Sequence, residues 1–305
     1  MKKFISFLIM IILFTIIFIN RNIISRFISQ KIIYRDAIVI NNANQYYKNS
    51  NFLLVEITDN FIVKNKEQFI NIIYTILNNG WKEFTFFCDY SYETCPNDFY
   101  EVIENKNYIE AVNNYVNPLN SYSHINFNID SLGKIKVIIE KNYTENQINE
   151  VNNIINNFIE QNLSATMNDR QKIKLFHDFV IEKSIYDQNY NLDMDKKNYP
   201  YHPYNAYGPL VEGLGICSGY SDAMAIFLDK IGVKNYRIAS KDHIWNFIYL
   251  ESNWYHLDLT WDDPVTSDGQ QVMLNDFFLI TTEQLKNRNT QQHSFTQELY
   301  LETNI

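Results

Sequence analysis

The sequence predicts an α+β fold in two units behind an apolar N-terminal helix, and three observations predict it. First, the run Phe4–Ile19 is apolar except at Ser6 and Thr15. Second, residues 36–142 alternate short strand patterns with helical ones. Third, a helical pattern after Gly213 is followed by two strand patterns joined by a short turn, and that stretch carries Cys217, His243 and Asp258.

Composition agrees with folded units. The chain is 46% hydrophobic and 20% charged with only 8 Gly and 6 Pro in 305 residues, which leaves no room for a long disordered linker. The 22 Tyr and 21 Phe suit packed cores and a peptide-contacting surface. A net charge of −9 with no basic patch argues against a nucleic-acid partner. There is no internal repeat and no phosphate-cradling glycine loop.

Residues 1–30 read as a signal-anchor or transmembrane segment. As a helix the apolar run spans about 24 Å, short of the roughly 30 Å hydrocarbon core. Extension to Ile24 past Asn20-Arg21-Asn22, with the polar side chains snorkelling, makes up the difference. No Ala-x-Ala-like site follows the run, which favours an uncleaved anchor over a cleaved signal peptide. Lys2 and Lys3 favour a cytoplasmic N-terminus, against the pull of Arg21, Arg26, Lys31 and Arg35.

Residues 31–142 form a small α+β domain with no recognisable chemistry: strands over 52–57 and 83–88, a helix over 67–77, and a hairpin of 124–130 with 134–140 about Ser131-Leu132-Gly133. Its role is to present the second unit, bind wall or peptide material, or restrict access. Cys88 and Cys95 flank a loop short enough to close as a disulfide in an oxidising exterior, leaving Cys217 the single free thiol; two unpaired cysteines are the alternative. No His or Cys pair stands at zinc-ligand spacing around them, so no metal is expected.

Residues 143–305 begin with a capping box, Thr144 to Gln147, opening a helix with Ile148, Val151, Ile155, Phe158 and Ile159 on one face. A second helix covers 169–184, and the polar, Tyr-rich 188–204 reads as a surface loop that lines a substrate cleft. A third covers 218–231 through Tyr220, Ala223, Met224, Phe227, Leu228 and Ile231, stopped by Gly232. Ile244–Leu250 and 254–260 read as strands, followed by a strand over 277–281 and a polar helix from near Thr282.

Chemistry concentrates where that third helix starts. A cysteine becomes a strong nucleophile at a helix N-terminus beside an imidazolium, and a carboxylate orients the imidazole. Cys217, His243 and Asp258 supply nucleophile, base and acid, and orienting group. With a two-residue turn at Glu251-Ser252, Leu250 pairs with Asn253 and Trp245 with Asp258. His243 and Asp258 then become diagonal neighbours on one face, which a one-residue slip would undo. Gly213, Gly215 and Gly219 leave room for a substrate backbone near the sulfur. The backbone N–H of Cys217 is one oxyanion donor.

Other residues carry blander readings. His256 is the rival histidine, on the same face as Asp258 by alternation. Asp262 and Asp263 cap a turn, and His177 is a packed or surface side chain. His124, His202 and His293 have no partner spacing that suggests a role.

Gly215-Ile216-Cys217-Ser218-Gly219-Tyr220, His243-Ile244-Trp245-Asn246 and Trp254-Tyr255-His256-Leu257-Asp258-Leu259-Thr260-Trp261 resemble the transglutaminase-like superfamily of papain-type cysteine enzymes in its bacterial form. The segment 173–180, Tyr186-Asp187 and Asn205-Ala206-Tyr207-Gly208 resemble the approach to that core, and the resemblance covers roughly 169–280. It implies a Cys-bearing helix on an antiparallel sheet, with Cys217 as nucleophile, His243 as base and acid and Asp258 orienting the ring. It also implies an upstream side-chain oxyanion donor, for which Tyr207 and Asn205 are candidates. The family holds transglutaminases, peptidases, peptide deglycosylases and inactive members, so resemblance leaves the reaction open. The expectation is therefore a membrane-anchored extracytoplasmic cysteine enzyme, without cofactor, acting on a protein or peptide by hydrolysis or acyl transfer. The alternative is a non-enzymatic surface module that binds peptide or wall material on the same fold.

Overall fold

The computed structural model describes residues 2–29, 38–192, 196–265, 272–288 and 290–304. Lys31, Arg35, the expected boundary at residue 31 and positions 193–195 of the expected loop lie outside these residues.

Helix α1 (Lys2–Ile19) is followed by α2 (Arg21–Ile28), bent away from it by 70°. The straight extension to Ile24 is therefore corrected. Asn20 leaves helical geometry, and its side-chain amide donates to the Ile16 carbonyl at 2.8 Å, competing with the helix ladder. Beyond the break Arg26 is buried and donates to the Tyr92 carbonyl at 3.1 Å, while Phe27 meets Tyr90 edge-on, so α2 is held to the folded body. No single described helix is long and apolar enough to cross a membrane. The bent pair Phe4–Ile19 and Arg21–Ile28 reaches that length and composition only together.

The next stretch builds β1 (Ile62–Val63), α3 (Lys66–Asn79), β2 (Glu83–Cys88), α4 (Cys95–Glu104), α5 (Lys106–Tyr115), β3 (Tyr122–Ile129) and β4 (Lys134–Lys141). Its sheet runs β1-β2-β4-β3, with β1 parallel to β2 and the other pairs antiparallel. Asn65 caps α3 by accepting from the Gln68 N–H, and Gly80 at φ 74° ends it. The strand expected at 52–57 is absent. Phe52 N–H bonds the Val55 carbonyl, and Asn51 and Asn71 side chains take the Ile57 and Glu56 N–H groups, so local turns use the donors a ladder needs. Cys88 and Cys95 are joined in a disulfide with Cα atoms 6.0 Å apart.

The remainder comprises α6 (Glu145–Asn162), α7 (Asp169–Lys183), β5 (Ile185–Tyr186), α8 (Gln188–Leu192), β6 (Leu214–Gly215), α9 (Cys217–Lys230), β7 (Asn235–Ala239), β8 (Ile244–Leu250), β9 (Asn253–Leu257), α10 (Leu259–Asp262) and α11 (Thr282–Arg288). Reciprocal capping boxes open α6 at Thr144 and Gln147 and α7 at Asn168 and Gln171. The start of the expected 188–204 loop is helical, because Asp187 caps α8 through the Asn189 and Tyr190 N–H groups. No strand forms at 277–281; a single bridge, His256 to Ile280, touches β9 there. The strand expected at 254–260 stops at Leu257, because the Asp258 carboxylate takes the Thr260 and Trp261 N–H groups and starts α10.

The antiparallel sheet β7-β8-β9 sits between two hydrophobic clusters. On one side Ile248 and Leu257 meet Met224 and Phe227 of α9, with Phe176 of α7 stacked on Phe227 at 4.1 Å. On the other, Tyr236, Trp245 and Phe247 join a cluster with α3, α5 and the C-terminal Tyr300. Tyr115 of α5 lies 4.5 Å from the Tyr236 ring, so the first stretch backs the sheet directly. Truncating a stacked ring such as Phe227 would cost about 3–5 kcal/mol.

Candidate active site

Cys217 opens α9, and its N-cap, Ile216, is extended and offers no side-chain acceptor. The first-turn N–H groups, which have no intrahelical partner, therefore remain available beside the sulfur. Cys217 is partly exposed and is the free cysteine. Two ties press its helix onto the sheet. Asn246 of β8 donates to the Ser221 carbonyl at 2.8 Å, and buried Arg237 of β7 pairs with Asp222, which also accepts from the Tyr143 hydroxyl at 2.6 Å.

The glycines around the sulfur differ from expectation. A Cβ at Gly219 would lie 2.3 Å from the Pro203 carbonyl oxygen, and one at Gly215 would lie 2.7 Å from the Tyr220 ring. Those glycines therefore admit the protein's own chain, which corrects the expectation that they make room for substrate. Gly213 instead serves a turn, at φ 76°.

His243 stands immediately before β8 and is 6% exposed; its Nε2 lies 2.5 Å from Asp258 Oδ2. The pairing that produces this contact is the expected one, Leu250 with Asn253 through Asn246 with Leu257. Nε2 is engaged by the carboxylate, and the same ring also interacts with the Cys217 side chain. Burial disfavours the charged ring, yet Asp258 and then Cys217 outweigh it and push the imidazole up to about 10. Asp258 shows the converse: burial opposes its charge, but His243 and His293 hold its carboxyl well below the usual carboxylate range.

His293, to which no spacing in the sequence pointed, is buried in the same place. Its Nε2 lies 2.8 Å from the same Asp258 Oδ2, and its Nδ1 lies 2.5 Å from Thr290 Oγ1. Potential ligand atoms of His243, Asp258 and His293 lie within 4.8 Å of one another. Both Nε2 atoms lie within hydrogen-bonding reach of the one carboxylate oxygen, so the three side chains form a hydrogen-bonded cluster.

The rival His256 is differently placed. Its Nδ1 accepts from the Trp245 indole at 2.9 Å, its Nε2 meets Thr282 Oγ1 at 3.1 Å, and burial pushes its pKa down to about 3. It is a neutral structural link between β8, β9 and α11. His177 is fully buried between Asp178 and Asp262, and Asp262 also takes the Phe277 N–H. Asp263 accepts from the Tyr220 hydroxyl at 2.5 Å, with burial pushing its pKa up to about 6. Both aspartates thus bind across elements, which corrects the simple turn-capping role expected of them.

Asn205 is buried, its Oδ1 accepting from the Tyr207 N–H and its Nδ2 reaching the Asn142 carbonyl at 3.5 Å. Tyr207 turns its hydroxyl to Glu150 at 3.5 Å. These contacts turn the Asn205 amide toward the chain before α6 and the Tyr207 hydroxyl toward α6 itself.

No protein-family model matches the chain, and no curated relative matches it. Among solved structures, a transglutaminase aligns with TM-score 0.33 and 16% identity over 50% of this chain. A protein described as a candidate cysteine protease from Cytophaga hutchinsonii aligns with TM-score 0.28 and 10% identity over 49% of it. The chain spans 47% and 65% of those two structures. At these TM-scores and identities the reading of the site rests on its own residues.

Proposed function

We propose that the chain is a cysteine enzyme that opens a carboxamide or peptide bond through a thioester on Cys217. The observation that carries this reading is the His243–Asp258 contact at 2.5 Å beside a partly exposed thiol at a helix N-terminus. The Cys217 thiolate adds to the amide carbon, and the backbone N–H of Cys217 faces the developing oxyanion. The imidazolium of His243 gives its proton to the leaving nitrogen as the C–N bond breaks, which releases ammonia or an amine and leaves the thioester. Asp258 holds the ring in place and balances its charge while it is protonated. Water or a lysine amine then attacks the thioester, His243 takes that nucleophile's proton, and the thiolate leaves. Hydrolysis and cross-linking share every step but the last, so water access to the cleft decides between them.

The proposed setting is extracytoplasmic, anchored by the N-terminal apolar segment and acting on protein or peptide at the cell surface. The Cys88–Cys95 disulfide supports an oxidising location. So does the exposed apolar surface of α1 for a lipid contact.

The test gives the purified full-length chain a glutamine-containing protein with a labelled primary amine. Cys217-dependent incorporation of the amine indicates transfer, ammonia release without incorporation indicates deamidation, and new peptide termini indicate proteolysis. Activity retained in Cys217→Ala would overturn the mechanism. A wild-type Cys217 no more reactive than free cysteine would leave a peptide-binding module as the reading of this fold.

A further inference from the structure

We propose that His293 is a positioning residue of this centre: with Thr290 behind it, it holds the Asp258 carboxylate and limits the grip of that carboxylate on His243. The proposal rests on the functional reading above.

The geometry is specific. Asp258 accepts from four donors, the Thr260 and Trp261 N–H groups on Oδ1 and the rings of His243 and His293 on Oδ2. The two helical N–H groups fix the carboxylate plane. The two imidazoles then compete for the lone pairs of one oxygen.

His293 is itself fixed. Its ring is stacked on Phe277 at 4.9 Å, meets Trp245 edge-on at 4.8 Å and stands at 86° to His243. Thr290 lies against Nδ1. Because Nε2 faces an ionised carboxylate, it is the nitrogen that bears the proton, and Nδ1 accepts from the Thr290 hydroxyl. The Thr290 hydroxyl, by donating to Nδ1, supports the tautomer that donates to Asp258.

The chemical consequence concerns His243. A carboxylate oxygen that accepts a second strong hydrogen bond carries less charge toward the first partner. The imidazolium of His243 is then held firmly enough to form, yet released readily enough to give its proton to the leaving nitrogen. Without His293 the full charge of Oδ2 would bear on His243, which would become a weaker acid. The other groups around this cluster are Cys217 from α9, the buried His256 from β9, which burial keeps neutral, and Lys286 from α11, which acts on His256.

The experiment uses the full-length chain with His293→Phe, which keeps the aromatic packing and removes the donor, and His293→Gln, which restores an N–H. The readouts are the titration of the His243 imidazole by nitrogen NMR and the kcat and KM of the Cys217-dependent reaction. His293→Phe should move the His243 titration upward by about half to one pH unit. It should also lower kcat about tenfold with KM within about twofold. His293→Gln should bring both back toward wild type. An unchanged His243 titration in folded His293→Phe, or an equal shift in the Gln variant, overturns the proposal. Should His293→Phe not fold, Thr290→Val decides: a smaller upward shift is expected, and no shift overturns it. A wild-type Cys217 inert toward iodoacetamide would defeat the functional reading, while the His243 titration would still decide the role of His293.

Discussion

Leu250 and Asn253 are direct cross-strand partners, and the two residues between them, Glu251 and Ser252, both hold positive φ, 52° and 65°. Such a turn matches the twist of the flanking strands and admits no slack. Counting back from it places His243 where Asp258 can be reached 15 residues later in the chain.

This relationship gives the first prediction. Ser252→Gly should raise stability by about 0.5–1 kcal/mol, since glycine relieves the left-handed backbone without touching the site. Inserting one glycine between Glu251 and Ser252 should instead slip the pairing and part His243 from Asp258. The rate of Cys217 alkylation should then fall to that of free cysteine while far-UV circular dichroism is kept.

The elevated His243 makes stability depend on pH in a defined direction. Its folded value of about 10 lies above the ordinary 6.5, so its contribution is fully present below pH 6.5 and is lost as pH rises toward 10. The stability difference between wild type and His243→Ala, measured by urea unfolding, should shrink across that window. The slope should not exceed about 1.4 kcal/mol per pH unit. A difference that grows with pH would contradict the assigned charge.

His256 should act in the opposite range. Its folded value of about 3 lies below 6.5, so folding is penalised as pH falls from 6.5 toward 3, where the unfolded chain binds the proton first. His256→Ala should cost about 2–4 kcal/mol at pH 7 through the lost Trp245 and Thr282 bonds and the cavity left behind. It should also flatten the acid limb of stability. Alkylation of Cys217 should persist in the folded fraction, which separates this histidine from His243.

The Cys88–Cys95 bridge closes a short loop against which α2 rests. Peptide mapping without reductant should recover the two cysteines linked. Replacing both with serine should cost about 2–3 kcal/mol and loosen the Arg26 contact with Tyr92, without slowing alkylation of Cys217. Hydrogen exchange over residues 21–28 is the direct measure of that loosening. Unchanged exchange there would show that the loop holds α2 without the bridge.

Much of this architecture was legible because the signals are local. The capping box at Thr144, the helix that starts at Cys217 and the strand Ile244–Leu250 are written in side-chain periodicity and caps. Glu251-Ser252 is likewise a turn of fixed length, so the meeting of His243 with Asp258 could be counted from the chain. The C-terminal side of Asp258 could not. Whether 259–262 continues a strand or turns helical depends on which backbone N–H groups the Asp258 carboxylate takes.

The sequence by itself determined which residues form the candidate centre: a cysteine at a helix start, and a histidine and an aspartate one hairpin apart. Only the tertiary structure decided who else touches them. His293 follows Asp258 by 35 residues, across α10, α11 and the irregular chain around them, so no single periodicity points from one to the other. The bend after Asn20 and the packing of Tyr115 on Tyr236 are of the same kind. Pattern within a segment fixes its own hydrogen bonds and its apolar face, whereas contacts between distant segments are selected by how whole faces fit together. That selection is where His293 acquired its place on Asp258.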